Sequence, residues 1–440
     1  MTRYLGQGNV AIDEEAGRFR VARKAFTSNE ILDWEHNEIF DKCWLYLGHS
    51  SEIDEPGTYV SREIAGRELI FNRDVNGQVH AFFNACPHRG AKICAEKSGQ
   101  GRNFFCLYHG WMFETDGKFK RLPHHSGYPE GFSDDGSVNL AAVPRLQEYR
   151  GFWFICFDKD AIDLNSYLGG AMEYLDCAAD QAEKIEVISG TQEYGISANW
   201  KLLCENTIDG YHADNLHATY FDFARNVASA ASGGAPVPRL RLEGRSRDLG
   251  NGHGVVEFSA PWGRAAGKWS PAWGEDTRAE VEANYTSLVE RVGEEKAHRI
   301  ANLNRNIVIF PNLMLVDAAG LVIRTIQPGE PGKMHVSTWA VGAAGEPYWL
   351  RQLRMKNFLT FLGPGGLATP DDIEALERCQ QGFSNSREAG WNDISKGDLN
   401  ADDLPMEDEG QIRAFWREWA ARLDGSADQS DVEKSKVVRR

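Results

Sequence analysis

Two short segments of the 440-residue sequence each pair a thiol with an imidazole: Cys86-Pro87-His88 and Cys106-Leu107-Tyr108-His109. Thiolates and imidazoles together bind metals, and their spacing narrows the choice. Structural zinc sites usually take two like ligands from one loop, as C-x2–4-C or H-x3–5-H. Each of these loops supplies one ligand of each kind, which suits a two-iron, two-sulfide cluster with two thiolates on one iron and two imidazoles on the other. Neutral histidines reduce the negative charge of such a cluster and raise its potential, so a weaker reductant can fill it. Zinc remains the alternative reading of the same four residues. Gly90 and Gly110 follow the two histidines, where a chain turning closely around a cluster benefits from having no Cβ. Trp111 can cover one side.

A second constellation lies in NWKLLCENTIDGYHADNLH, where Asp209, His212 and His217 are spaced D-x-x-H-x4-H. On a helix, residues three apart diverge by about 60°, so Asp209 can stand beside His212. Residues five apart diverge by about 140°, so His212 and His217 share one metal only if the helix is bulged or ends between them. Asp214-Asn215 tolerates such a break. A polar helix end with two unrelated histidines fits the spacing as well.

Around these groups the texture changes along the chain. AFTSNEILDWEHNEIF predicts a short amphipathic helix within 26–40, capped at Ser28. Residues 41–160 are short β-branched and aromatic runs broken by the turn pairs Asn76-Gly77 and Asp116-Gly117, which predicts a small antiparallel β domain with both Cys/His pairs at loop tips. Farther on, RNIVIFPNLMLVD, GLVIRTIQP and KMHVSTWAVG predict successive strands of an antiparallel sheet, with helices flanking it at 348–362 and around Ile412–Leu423. The whole reads as α+β.

Composition excludes other classes. A net charge of −16 repels phosphate backbones, against nucleic-acid binding. No apolar run approaches the roughly 20 residues of a membrane crossing. The N-terminus has no signal-peptide pattern, which predicts a cytoplasmic protein. Eight cysteines without secretory context predict thiols or ligands and no disulfide framework. Cys43, Cys94, Cys156, Cys177, Cys204 and Cys379 are expected to be small buried apolar residues. His49, His80, His124 and His125 match no ligand spacing and are expected on the surface or in loops.

The pattern C-x-H, a spacer, then C-x-x-H resembles the Rieske family, met by Cys86, His88, Cys106 and His109. With D-x-x-H-x4-H behind it, the whole chain resembles the large (α) subunit of Rieske non-haem iron aromatic-ring-hydroxylating dioxygenases. The resemblance implies residues 1–40 as a helical arm on the catalytic domain, 41–160 as the Rieske [2Fe-2S] domain, 161–425 as the catalytic domain and 426–440 as a flexible tail. It implies a mononuclear Fe(II) held by His212 and His217, with a third ligand from the acidic pair in GPGGLATPDDIEALE. Asp371 and Asp372 both qualify chemically, and the spacing to Leu376-Glu377 favours Asp372. Two histidines and a carboxylate leave iron positions open for dioxygen and substrate. Asp209 is implied as the link to the Rieske histidine of a neighbouring subunit in a head-to-tail trimer, alone or as α3β3 with a small β subunit.

The implied reaction adds both atoms of O2 across an aromatic bond, with electrons from NAD(P)H. No G-x-G-x-x-G fingerprint follows a strand, so a separate reductase, with or without a ferredoxin, is implied. LATPDDIEALERCQQGF, WNDISKG and CENTIDGYH are most similar to the benzoate, toluate and p-cumate branch, which acts on aromatic carboxylates. Arg324, on a central strand, is one candidate partner for such a carboxylate, and an arginine there could simply pair with an acid elsewhere. A polycyclic or biphenyl-type dioxygenase, or a Rieske monooxygenase such as a salicylate hydroxylase, would share every metal ligand.

Overall fold

The computed structural model describes residues 2–231, 233–236, 242–260, 262–318, 320–401 and 403–425. The expected tail at 426–440 lies outside the described residues. The chain divides into two compact units, residues 40–164 and residues 1–39 with 165–440.

The smaller unit is built from three antiparallel sheets. One pairs Leu45–His49, Phe152–Cys156 and Arg145–Tyr149; a second runs Val79–Phe83, Arg67–Arg73, Thr58–Ile64 and Ser98–Gln100. The third is the hairpin pair Asn103–Phe105, Met112–Glu114 and Phe119–Arg121. Asn76-Gly77 and Asp116-Gly117 close the hairpins at which they were expected, with positive φ at both glycines. Apolar side chains, among them Ile70, Phe82, Trp111 and Phe113, form one core with Cys86 and Cys106. Two of the four unassigned histidines depart from the surface expectation. His49 is buried, because its ring accepts from the Ser51 N–H (3.2 Å) and caps the following Ser50–Ile53 turn. His80 is partly buried, its Nε2 lying 3.1 Å from Asp74.

The larger unit is organised around an antiparallel sheet of nine described strands. Its centre runs Met334–Ala343, Leu321–Pro328, Leu313–Asp317 and Leu303–Ile309, the segments expected from the sequence, followed by Gly254–Ser259, which was not, and flanked by shorter edge strands. Alternation divides the sheet into two faces. Arg264, Arg305, Asp317 and Glu257 form a buried ion network, with Arg264 bidentate on Asp317 at 2.7 Å. Asp317 and Met314 are three apart, so Met314 faces the other way, where Thr207 Oγ1 of the Trp200–Thr207 helix lies 3.2 Å from its sulfur.

That helix is anchored by a charge pair excluded from water. Lys201 Nζ lies 2.5 Å from Glu35 Oε1, both side chains fully buried, and the indole N–H groups of Trp200 and Trp419 donate to the same carboxylate at 2.8 Å. The pair ties together the helices Asn29–Glu35, Trp200–Thr207 and Gly410–Leu423. Ser28 caps the first of these, accepting from the Ile31 N–H at 3.4 Å.

Three further expectations need correction. The N-terminal arm is strand as well as helix: ahead of the helical turns from Arg23 to Phe40, Arg3–Leu5, Val10–Asp13 and Arg18–Ala22 join Trp391–Asp393 in a sheet, because Gly6, Gly8 and Gly17 adopt positive φ and turn the chain between short runs. The helix expected over 348–362 is α-helical only to Asn357 and continues as a π turn, Phe358–Leu362. Cys379 is exposed on the Thr369–Gly382 helix, whereas Cys43, Cys94, Cys156, Cys177 and Cys204 are buried.

Candidate metal centres

In the smaller unit the two Cys/His loops share one backbone design. Cys86 N–H donates to Ala91 O and Gly90 N–H to Cys86 O; Cys106 N–H donates to Trp111 O and Gly110 N–H to Cys106 O, all within 2.8–3.0 Å. Both glycines take positive φ, +73° and +71°. At Gly110 a Cβ would also come within 2.8 Å of Pro123. The two thiols are buried, and burial with the neighbouring Cys106 thiol raises the Cys86 pKa above the ordinary thiol value. His88 and His109 stand with ring centroids 4.5 Å apart, and Trp111 stacks on His88 at 5.0 Å and 1°.

The donor set fits a Rieske cluster. His88 Nδ1 is buried with no hydrogen-bond partner, an imidazole lone pair that a metal would satisfy. Arg89 lies 2.9 Å from His109 Nε2 and, after burial, holds the His109 pKa below its ordinary value, favouring the neutral ring that ligation needs. Around the tip Phe105, Leu107 and Tyr108 are exposed.

In the larger unit the Trp200–Thr207 helix ends before Asp209, and the next short helix, Ala213–Leu216, lies between the two histidines. That short helix stops at Leu216, with His217 leaving helical geometry, and this irregularity lets residues five apart converge. His212 Nε2 and His217 Nε2 are 3.3 Å apart, and Asp372 Oδ1 lies 3.6 Å from the first and 3.3 Å from the second. Donors about 2.1 Å from a shared ion, at right angles, stand about 3 Å apart, so the trio fits one metal. Asp372 reaches the site from the first turn of the Thr369–Gly382 helix, after Pro370.

Each histidine turns its other nitrogen toward an aspartate. His212 Nδ1 is 3.2 Å from Asp209 Oδ2 and His217 Nδ1 is 3.6 Å from Asp371 Oδ2. Burial opposes charge on His212, yet Asp209 outweighs it and the pKa rises above the ordinary histidine value. Burial likewise opposes charge on Asp372, but His217 and His212 hold its pKa below the usual carboxylate range. Asn206, to which the sequence attached no role, donates to Asp372 Oδ1 at 3.0 Å. Its only sequence signal is its place in CENTIDGYH, one turn before Asp209. Phe361 closes another side, its ring 6.4 Å from His217. Arg324 lies in the sheet, away from the ion-network face.

Comparison with known proteins matches residues 43–144 to the family described as Rieske [2Fe-2S] domain and residues 174–425 to ring hydroxylating alpha subunit (catalytic domain). The 2-halobenzoate 1,2-dioxygenase large subunit of Burkholderia cepacia is 33% identical over 96% of this chain and 93% of its own. The toluate 1,2-dioxygenase subunit alpha of Pseudomonas putida is 32% identical over 90% of this chain and 86% of its own. Among solved structures, naphthalene 1,2-dioxygenase from Rhodococcus sp. bound to indole superposes with a TM-score of 0.77 at 26% identity, covering 93% of this chain and 95% of that one.

Proposed function

Because the chain belongs to the family of ring-hydroxylating dioxygenase alpha subunits, with a Rieske domain ahead of the catalytic domain, we propose that it cis-dihydroxylates an aromatic carboxylate. The balanced reaction joins the arene, one O2, two electrons and two protons into a cis-dihydrodiol, both oxygen atoms ending on adjacent ring carbons. The observation that carries this reading is the convergence of His212, His217 and Asp372 on one point in a chain that also carries the Cys86, His88, Cys106 and His109 set.

When bound, the cluster supplies single electrons and the mononuclear iron supplies dioxygen activation. The protein's own part is to place and hold donors. Asp209 engages Nδ1 of His212, which leaves Nε2 free as the ligand atom. Asn206 fixes the Asp372 carboxylate by donating to Oδ1. Electrons come from an NAD(P)H-dependent reductase, with or without a ferredoxin. The exposed Phe105, Leu107 and Tyr108 beside the cluster loop give a protein partner an apolar landing surface.

The carboxylate substrate rests on the halobenzoate and toluate relatives. A hydrocarbon substrate is the second reading, favoured by the naphthalene dioxygenase relatives, and it requires no cation near the ring. Turnover of benzoates against neutral arenes by the enzyme with its reductase, with product identification, decides between them. A benzoate-derived cis-diol supports the proposal, and diols from neutral arenes alone overturn the carboxylate.

A further inference from the structure

The register of the central sheet aligns one residue from each strand into a single row. Gly254 pairs with Val308, Val308 with Met314, Met314 with Arg324, Arg324 with Thr338, and Thr338 with Gln192. Directly opposed residues in antiparallel strands project to the same face. At one end of the row a Cβ on Gly254 would come within 3.0 Å of Ile208, beside Asp209, and farther along it Thr207 lies on Met314, one residue after the Asn206 that holds Asp372. At the other end Gln192 lies against Gly363, where a Cβ would come 2.9 Å from its Nε2. Gly363 directly follows the turn whose Phe361 ring meets His217. Both ends of the row therefore meet segments that build the iron site, and Arg324 with Thr338 lies between them.

This stretch is unfinished as protein. Arg324 is 3% exposed, its Nε is buried without a partner, and no hydrogen bond or ion pair reaches its guanidinium among the described residues. Thr338 is fully buried and its hydroxyl is unpartnered too. The contrast with Arg264 and Arg305, both buried on the opposite face and both paired to Asp317, is direct. A buried guanidinium without a counter-ion is costly, and such groups persist where something else completes them.

We propose that Arg324 and Thr338 form the recognition site for the substrate carboxylate, the guanidinium fork taking both oxygens and the Thr338 hydroxyl donating to one of them. This assignment rests on the aromatic-carboxylate reading above and says where on the fold that selectivity resides. A planar fork matches a carboxylate bidentately, which a lysine at the same place does not.

The test uses the iron-loaded enzyme with its reductase, each variant checked for iron and for cluster absorption. The readout is the ratio of kcat/KM for benzoate to that for methyl benzoate. Arg324→Met should lower this ratio about hundredfold, Arg324→Lys less, and Thr338→Val about tenfold, in keeping with charged and neutral hydrogen bonds respectively. A ratio unchanged within about threefold in Arg324→Met overturns the assignment. A wild-type enzyme that ignores benzoates and oxidises only neutral arenes overturns the underlying carboxylate reading instead. Thermal unfolding gives a second measurement that needs no turnover. Arg324→Met should raise the melting temperature of ligand-free protein and abolish the upward shift that benzoate gives the wild type; a purely structural arginine would show the reverse, a lower melting temperature with the benzoate shift intact.

Discussion

Asp371 and Asp372 are adjacent carboxylates in the first turn of one helix, and position alone decides what each does. The sequence leaves both chemically eligible. In space Asp372 Oδ1 meets the Nε2 atoms of both histidines, while Asp371 stands behind His217 at its Nδ1. Asp372→Ala should therefore lose the mononuclear iron, whereas Asp371→Ala should retain most of it, with a helix-end loss of about 1 kcal/mol. Iron per labile sulfide measures the difference, and the opposite pattern would move the ligand by one residue. The cluster is tested the same way: Cys86→Ser should abolish its visible absorption, and His212→Ala should leave that absorption in place. A residue the sequence could not single out is His253, because its partners are 57 and 86 residues away. Its Nδ1 accepts from Phe310 N–H, so its Nε2–H donates to Tyr167 O, and burial pushes its pKa down to about 4. Between about 6.5 and 4 the unfolded chain binds a proton that the folded chain refuses, so this contribution is whole above that window and lost as pH falls through it. The loss between pH 7 and 5 is about 2 kcal/mol, and chemical denaturation at both values should show a correspondingly smaller drop in His253→Gln.

Elements were legible where local signals were strong. Asn76-Gly77, Asp116-Gly117 and the Ser28 cap each act through the residues on either side, and the structure places turns and helix start there. The three N-terminal strands were not, because runs of three to five residues carry too little periodicity and depend on pairing with Trp391–Asp393 from the far end of the chain. A helix end between His212 and His217 follows from helix geometry if both histidines are to serve one metal, and the short helix Ala213–Leu216 does end just before His217. The longer helix ahead of them is Trp200–Thr207. What holds that helix was hidden. The Glu35–Lys201 pair joins residues 166 apart, and neither composition nor spacing marks it. Removing one partner strands a buried charge, so Lys201→Met should destabilise the protein by about 3–5 kcal/mol. Pairing it with Glu35→Gln should recover part of that loss, which equilibrium unfolding of the single and double variants would measure. Equal, additive losses would show that the two charges do not depend on one another.

On the scale of the whole molecule, the two iron sites belong to separate compact units, and the chemistry requires electrons to pass between them. The sequence makes both sites legible as donor sets but carries no signal of assembly, since quaternary contacts depend on surfaces that form only after folding. We propose that α subunits associate head to tail in a closed three-fold ring, a heterologous arrangement compatible with cyclic symmetry. Asp209 suits the role of bridge because one of its oxygens already engages His212 Nδ1 at 3.2 Å while the carboxylate stays partly accessible. Besides the bond it already accepts from Tyr211 N–H at 2.7 Å, it would then accept a further hydrogen bond from His88 or His109 of the partner subunit. Asp209→Asn keeps the size of the side chain and removes its charge. The variant should retain both metal centres and the trimer, and its cluster should be reduced normally, but it should fail to reoxidise that cluster on exposure to substrate and O2. Single-turnover reoxidation followed by visible absorption reads this directly, with iron content and sedimentation as controls. Reoxidation at the wild-type rate, or an isolated monomer that turns over at full speed, would rule out the bridge, because in either case electrons would reach the iron without Asp209 joining one subunit to the next.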